Sequence, residues 1–168
     1  MKNQIEGREA VKRKDLLELM QALNESGDGV NDIIKSSIRV INFINMSLTP
    51  NDKYTLASIL ARCSRLDSLN LYGVSLTSSD LALLASSMQR SNIKIKKVAF
   101  GEGISKLLSH DGAVAICDML PHIIEEMRLL HRVQPEDVMM IQRKLDSIPA
   151  TELEVWIMGN RVTLSQKK

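Results

Sequence analysis

The feature that most constrains this chain is a self-similarity with a period of 28 to 29 residues. Leu66, Leu69, Leu71, Val74 and Leu76 fall at the spacing L-x-x-L-x-L-x-x-N-x-L, with Val where Asn is usual. Stepping back 28 positions gives Ile38, Ile41, Phe43, Met46 and Leu48, all apolar and in the same frame. Stepping forward 29 gives Ile95, Val98, Phe100, Gly103 and Ser105; a further 29 gives Ile124, Met127, Leu129, Arg132 and Gln134. A last step of 28 reaches Glu152, Val155, Ile157, Asn160 and Val162, where neighbouring Leu153 compensates for Glu152. A fixed period of this length marks supersecondary units that bury their apolar faces only by stacking. Each copy is read as a short strand and the turn after it.

Between the strands lie segments of helical spacing: Leu56, Ile59 and Leu60; Leu81, Leu84, Ala85 and Met88; Val114, Cys117 and Leu120; Val138, Ile141 and Leu145. Thr77-Ser78-Ser79-Asp80 and Gln134-Pro135-Glu136-Asp137 carry helix-start chemistry: N-cap side chains, an early Pro, and acids at the positive end of the helix dipole. Pro121 and Pro149 are placed to close the helices of their units.

Over about residues 38 to 163 this alternation of strand, turn and true helix resembles the ribonuclease-inhibitor-like class of leucine-rich repeats. The resemblance implies an α/β fold: a short solenoid of about five strand-turn-helix repeats, with a parallel sheet on its concave side and an N-terminal capping helix. It also implies protein recognition, since such repeats recur in cytosolic inhibitors, in innate immune sensors and in bacterial proteins delivered into host cells. The departures are specific. Met46, Val74, Gly103 and Arg132 stand where the family's Asn or Cys bonds one turn to the next, so irregular turns are expected there.

The expected organisation is a helical cap over residues 1–37 and repeats over 38–168, forming one structural domain. Val11, Leu16, Leu19, Met20 and Leu23 make one apolar stripe between about Glu6 and Asn24, and Ile33 and Ile34 start a second short helix with the same covering role. Arg8, Lys12, Arg13 and Lys14 read first as a solvated basic face. After the fifth strand, Thr163 to Lys168 is too short for another helix, so the last layer is expected to be uncapped. That leaves three readings: a piece of a longer chain, an open final strand that pairs with another copy, or an edge discouraged from pairing by its terminal Lys residues.

Charge and composition exclude several classes. Against 22 Lys and Arg stand 20 Asp and Glu, a net +2 with no broad cationic field, so nucleic acid is not an expected partner. No apolar run reaches the roughly 18 residues of a membrane span, and Met1 to Glu6 lack a signal-peptide apolar region, so a soluble, cytoplasmic protein is expected. Cys63 and Cys117 lack metal-ligand spacing and read as buried free thiols.

Nor does local sequence predict catalysis, a metal or a cofactor. His110, His122 and His131 lack partners at ligand spacing. Ser109-His110-Asp111 holds triad residue types in adjacent positions that cannot line up nucleophile, base and orienter, and reads as a helix start. Gly101-Glu102-Gly103 lacks the remainder of a phosphate loop and reads as a turn.

Strand alternation then dictates which residues point away from the core. One outward row is Asn42, Asn70, Ala99, Arg128 and Trp156; the next is Ile44, Tyr72, Gly101, Leu130 and Met158. The second row is apolar for a solvated surface, and such patches mark binding sites. Ile44, Tyr72, Arg128, Leu130, Trp156 and Met158 are therefore the expected partner-binding residues, rimmed by Lys96, Lys97, Glu125, Glu126 and Glu154. The expected function is a non-catalytic protein-interaction module. The alternatives are the recruiting arm of a larger enzyme or effector and a self-associating structural protein.

Overall fold

The structure is a computed structural model that describes residues 14–22, 25–26 and 38–167. Six strands form one sheet in the order β1-β2-β3-β4-β5-β6. They are β1 (Val40–Asn42), β2 (Arg65–Tyr72), β3 (Lys94–Gly101), β4 (Ile123–Leu129), β5 (Glu154–Ile157) and β6 (Val162–Leu164). Four helices alternate with the first five: α1 (Pro50–Leu60), α2 (Ser78–Ser91), α3 (His110–Met119) and α4 (Pro135–Ser147). β1 to β5 pair in parallel, and β6 returns antiparallel to β5.

The sheet's register is the 28- and 29-residue step itself. Ile41 pairs with Leu69, Leu69 with Val98, Val98 with Met127 and Met127 with Val155. Phe43, Leu71, Phe100, Leu129 and Ile157 form the next buried layer. Parallel crossovers are right-handed, so a sheet whose order never reverses carries all its helices on one face. The burial agrees. The strand residues facing α1 to α4 are fully enclosed with Leu56, Ile59, Leu60, Leu84, Met88, Ile116, Ile141 and Leu145, and the opposite face is half-buried or open except at Gly101.

Local chemistry sets the helix starts. Thr49 and Thr77 each accept from the N–H of the Asp three residues on (Asp52, Asp80), while that carboxylate accepts from the threonine N–H, a reciprocal capping box. Ser109 caps α3 through the Gly112 N–H at 3.0 Å. Gln134 precedes α4 without a side-chain cap bond, so that start rests on Pro135 and on the acids Glu136 and Asp137.

A second set of bonds ties successive units together at the helix starts. Gln21 donates to Asp52 at 2.8 Å, Lys53 pairs with Asp80 at 2.9 Å, and His110 with Asp137 at 2.6 Å. Each acid is the third residue of its helix and meets a side chain from the helix before it. Burial would raise the Asp80 carboxyl, but the Lys53 ammonium and the Thr77 hydroxyl and N–H hold it below the usual carboxylate range. At the far end Asn160 makes two bonds to one residue: Val133 N–H donates to its Oδ1 at 2.8 Å, and its Nδ2 donates to Val133 O at 2.9 Å.

Several expectations are corrected. Val114 lies on the open side of α3, 40% exposed, and Ala113 and Ile116 take its place in the core. In the helix over residues 14–22, Met20 is fully buried and Leu16 and Leu17 pack on the core, whereas Leu19 is exposed. Val11, Leu23, Ile33, Ile34, Arg8, Lys12 and Arg13 lie outside the described residues; Lys14 pairs with Glu18 at 3.8 Å.

The final layer is not left bare. Arg161 takes a left-handed conformation (φ 53°), the chain reverses, and β6 buries Leu164 against it. The segment beyond β6 is held to α4: Gln166 donates to the Ile148 and Leu145 carbonyls, and Lys167 N–H to Asp146 at 3.0 Å. The edge of the sheet is therefore β6, not β5. No helix among the described residues is long and apolar enough to cross a membrane.

Candidate functional site

The helix-free face of the sheet is built from cross-strand rungs. One runs Asn42, Asn70, Ala99, Arg128, Trp156 and Thr163, each the register partner of the next. Asn42 and Asn70 turn their Oδ1 atoms back to the N–H of Ile44 (3.2 Å) and Tyr72 (3.1 Å), so both amide side chains are fixed by their own strands. Ala99 leaves the centre of the rung low.

The two C-terminal strands of the parallel set repeat one device. On β4, Glu126 receives both Nε (2.9 Å) and Nη2 (3.2 Å) of Arg128. On β5, Glu154 accepts from the Trp156 indole N–H at 3.2 Å. Glu126 and Glu154 are register partners, as are Arg128 and Trp156, so two like charges stand side by side and each engages a donor two residues further on. Both large side chains are thereby oriented while still exposed, Arg128 at 54% of its side chain and Trp156 at 37%. An oriented Trp beside an oriented Arg gives up few rotamers on binding, the condition under which such residues become interface anchors.

An open groove of about 270 Å³ crosses the middle of this face. Ser68, Asn70 and Ala99 form its low floor, and Lys97, Glu126 and Arg128 stand around it. Of its polar residues only Ser68 lies outside the outward rows and charged rim that the sequence indicates. Ser68 and Asn70 are unremarkable as single residues, and only the register that sets Ser68 beside Lys97, and Lys97 beside Glu126, brings them to one place.

The second outward row is interrupted. Ile44, Tyr72 and Leu130 are half-buried and Met158 is 39% exposed, but Gly101 between Tyr72 and Leu130 is buried. Its φ is +121°, and a Cβ there would stand 2.6 Å from the Leu130 carbonyl oxygen. The row is thus two apolar pairs separated by bare backbone, about 10 Å wide from the strand spacing. The expected charged rim is likewise partial. Lys97, Glu126 and Glu154 share a rung, whereas Lys96 leans to Asp67 at 3.8 Å and Glu125 is exposed outside the groove.

The other candidate chemical groups are dispersed. His122 is buried with Nδ1 3.2 Å from the Ile93 carbonyl, and burial holds it below the usual imidazole range. His131 is also lowered by burial, and its Nδ1 has no hydrogen-bond partner. Cys63 and Cys117 are free, buried and pushed up to about 11 by desolvation, which suppresses the reactive thiolate. Among the described residues no three His, Cys, Asp or Glu side chains converge as a metal-holding group. No protein-family model matches the chain, and comparisons with curated proteins and with solved structures find no match either.

Proposed function

We propose that this chain is a short leucine-rich-repeat solenoid of the ribonuclease-inhibitor-like class, and that it works without catalysis by binding a protein partner on the open face of its sheet. The solenoid reading is supported by the identity of the repeat step and the sheet register, by helices on one side only, and by the Asn160 bonds to the preceding unit at the position where the family uses Asn. The observation that carries the binding reading is the paired device on β4 and β5: Arg128 and Trp156, adjacent, exposed and each held by a glutamate. A catalytic reading finds less support. Among the described residues the strand order never reverses, so there the sheet has no switch-point crevice of the kind in which doubly wound enzymes hold ligands.

Affinity capture with the wild-type chain, run beside Trp156→Ala/Leu130→Ala and a helix-side Arg143→Glu control, tests the proposal. The expected outcome is one or more proteins retained by wild type and control and lost from the double variant, with all three equally folded. Retention by the double variant, or loss from the helix-side control alone, overturns it. A cytoplasmic setting accords with two buried free thiols and remains part of the proposal.

A further inference from the structure

The helix side carries a second feature, independent of the sheet-face reading. A cleft of about 300 Å³ lies between α1 and α2. Tyr54 and Ala57 of α1 line it on one side together with Ala61 and Arg62 just past that helix's end, and Ser87 and Arg90 of α2 line it on the other. The two alanines leave the space open, and no carboxylate is among its lining residues.

Arginines near helix C-termini commonly serve to bond terminal carbonyls. Here several of those acceptors are already taken. The Ala57 and Ile59 carbonyls accept from the N–H groups of Ala61, Arg62 and Cys63, and Leu60 accepts from the Ser91 hydroxyl at 2.8 Å. Met88 and Gln89 accept from Asn92 and Ile93. Among the described residues neither Arg62 nor Arg90 forms an ion pair, and Arg62 Nη1 is buried without any hydrogen-bond partner. Leaving a charged donor buried and unpaired is costly, so such a group calls for a partner. The two helix ends contribute about half a negative charge each against two full positive charges, leaving a net of about +1 in the cleft. Ser87 cannot serve as donor in this arrangement, since its hydroxyl bonds the Leu83 carbonyl at 2.9 Å.

From this we infer that the α1–α2 cleft binds a phosphate group, held by the Arg62 and Arg90 guanidinium groups with the Tyr54 hydroxyl at the exposed rim. The planar guanidinium fork matches phosphoryl oxygens in pairs, and 300 Å³ admits a phosphate with a short organic stem. Arg62 and Arg90 stand 28 residues apart; Arg62 follows the C-cap Ala61 of α1, and Arg90 lies in the last turn of α2.

The test is an NMR titration of the whole chain with inorganic phosphate and, separately, phenyl phosphate at constant ionic strength set with chloride. Expected are saturable shifts confined to residues 54–62 and 83–91, and an affinity at least about tenfold weaker in R90Q and in R62K. R90Q alters an exposed residue and tests the site if R62K is poorly folded. Tighter phenyl phosphate than inorganic phosphate assigns the site to phosphorylated organic groups, and equal affinity assigns it to the free anion; either supports the inference. Shifts that do not saturate, that fall on the sheet face, or that keep wild-type affinity in both variants overturn it.

Discussion

Asn160 offers the sharpest test of how successive units are joined. Its amide bonds both the N–H and the C=O of Val133, a residue 2% exposed. Asn160→Ala removes two hydrogen bonds and leaves a buried donor and acceptor with only partial access to water, a loss of about 2–3 kcal/mol. For a chain of this length that corresponds to a melting temperature about 4–12 °C lower. Asn160→Asp separates the two bonds. An ionised Asp still accepts from the Val133 N–H, but its second oxygen faces the Val133 carbonyl, and this repulsion raises its folded-state pKa above the unfolded value of about 3.9. A group so raised is most favourable to folding below its unfolded pKa, where it is protonated and donates to the carbonyl as the amide does, and that contribution is lost as pH rises through the folded pKa. The stability gap between wild type and Asn160→Asp should therefore be widest near neutrality and narrow steadily from pH 7 towards pH 4, while the gap for Asn160→Ala stays flat. Urea unfolding of the three chains at several pH values measures both. A loss under about 0.5 kcal/mol for Asn160→Ala, or a pH-independent gap for Asn160→Asp, would refute the reasoning.

Other outcomes follow from the same contacts. Gly101→Ala meets both a positive φ and the Leu130 carbonyl, whereas Gly103→Ala (φ +153°) meets nothing within 4 Å, so chemical denaturation should show the first costing about 2 kcal/mol more than the second. Burial lowers the pKa of His122 and His131, so as pH falls below the ordinary imidazole value of about 6.5 the unfolded chain takes up protons that the folded one does not; stability declines from there, and His122→Gln should flatten that slope in thermal melts. Asp80 has a lowered pKa, so its contribution is present above the unfolded carboxylate value and is lost as pH falls through the folded one; Asp80→Asn should make acid unfolding begin at lower pH relative to its own neutral-pH stability. Leu164→Ala loosens β6 from β5, and light scattering should then show more self-association through the newly exposed strand edge.

The sheet was legible because its parallel strands follow one another without reversal, so steps between neighbours are steps of the sequence period; the exception is the irregularity between β3 and β4, where Ile123 rather than the expected Ile124 pairs with Ile95 and is buried, leaving Ile124 38% exposed. Ile41, Leu69, Val98, Met127 and Val155 could be aligned by counting. β6 was not legible: Val162-Thr163-Leu164 pairs antiparallel, outside that period, through a left-handed Arg161 that carries no turn residue's signature. Val114 shares a face of α3 with the exposed Asp111 and Asp118, three residues before it and four after, and that polar pair is the signal that Ala113 and Ile116 face the core instead.

For the outward face, alternation identified Arg128, Trp156 and Met158 as exposed, but not the glutamates that orient two of them. Glu126 and Glu154 were assigned to the rim, although their position two residues before Arg128 and Trp156 on the same strand face could have signalled the pairing. The break at Gly101 was present in the row as a glycine, and its meaning emerges only from the closeness of the Leu130 backbone. Arg62 and Arg90 are 28 residues apart, but the strand period gives no sign that two arginines near helix ends share one cleft.

Amide hydrogen exchange of the chain, free and saturated with a captured partner, tests the central claim most directly. The account predicts new protection in residues 126–130 and 154–158, with α1 to α4 unchanged. Protection confined to the helices, with β4 and β5 exchanging as in the free chain, would contradict it.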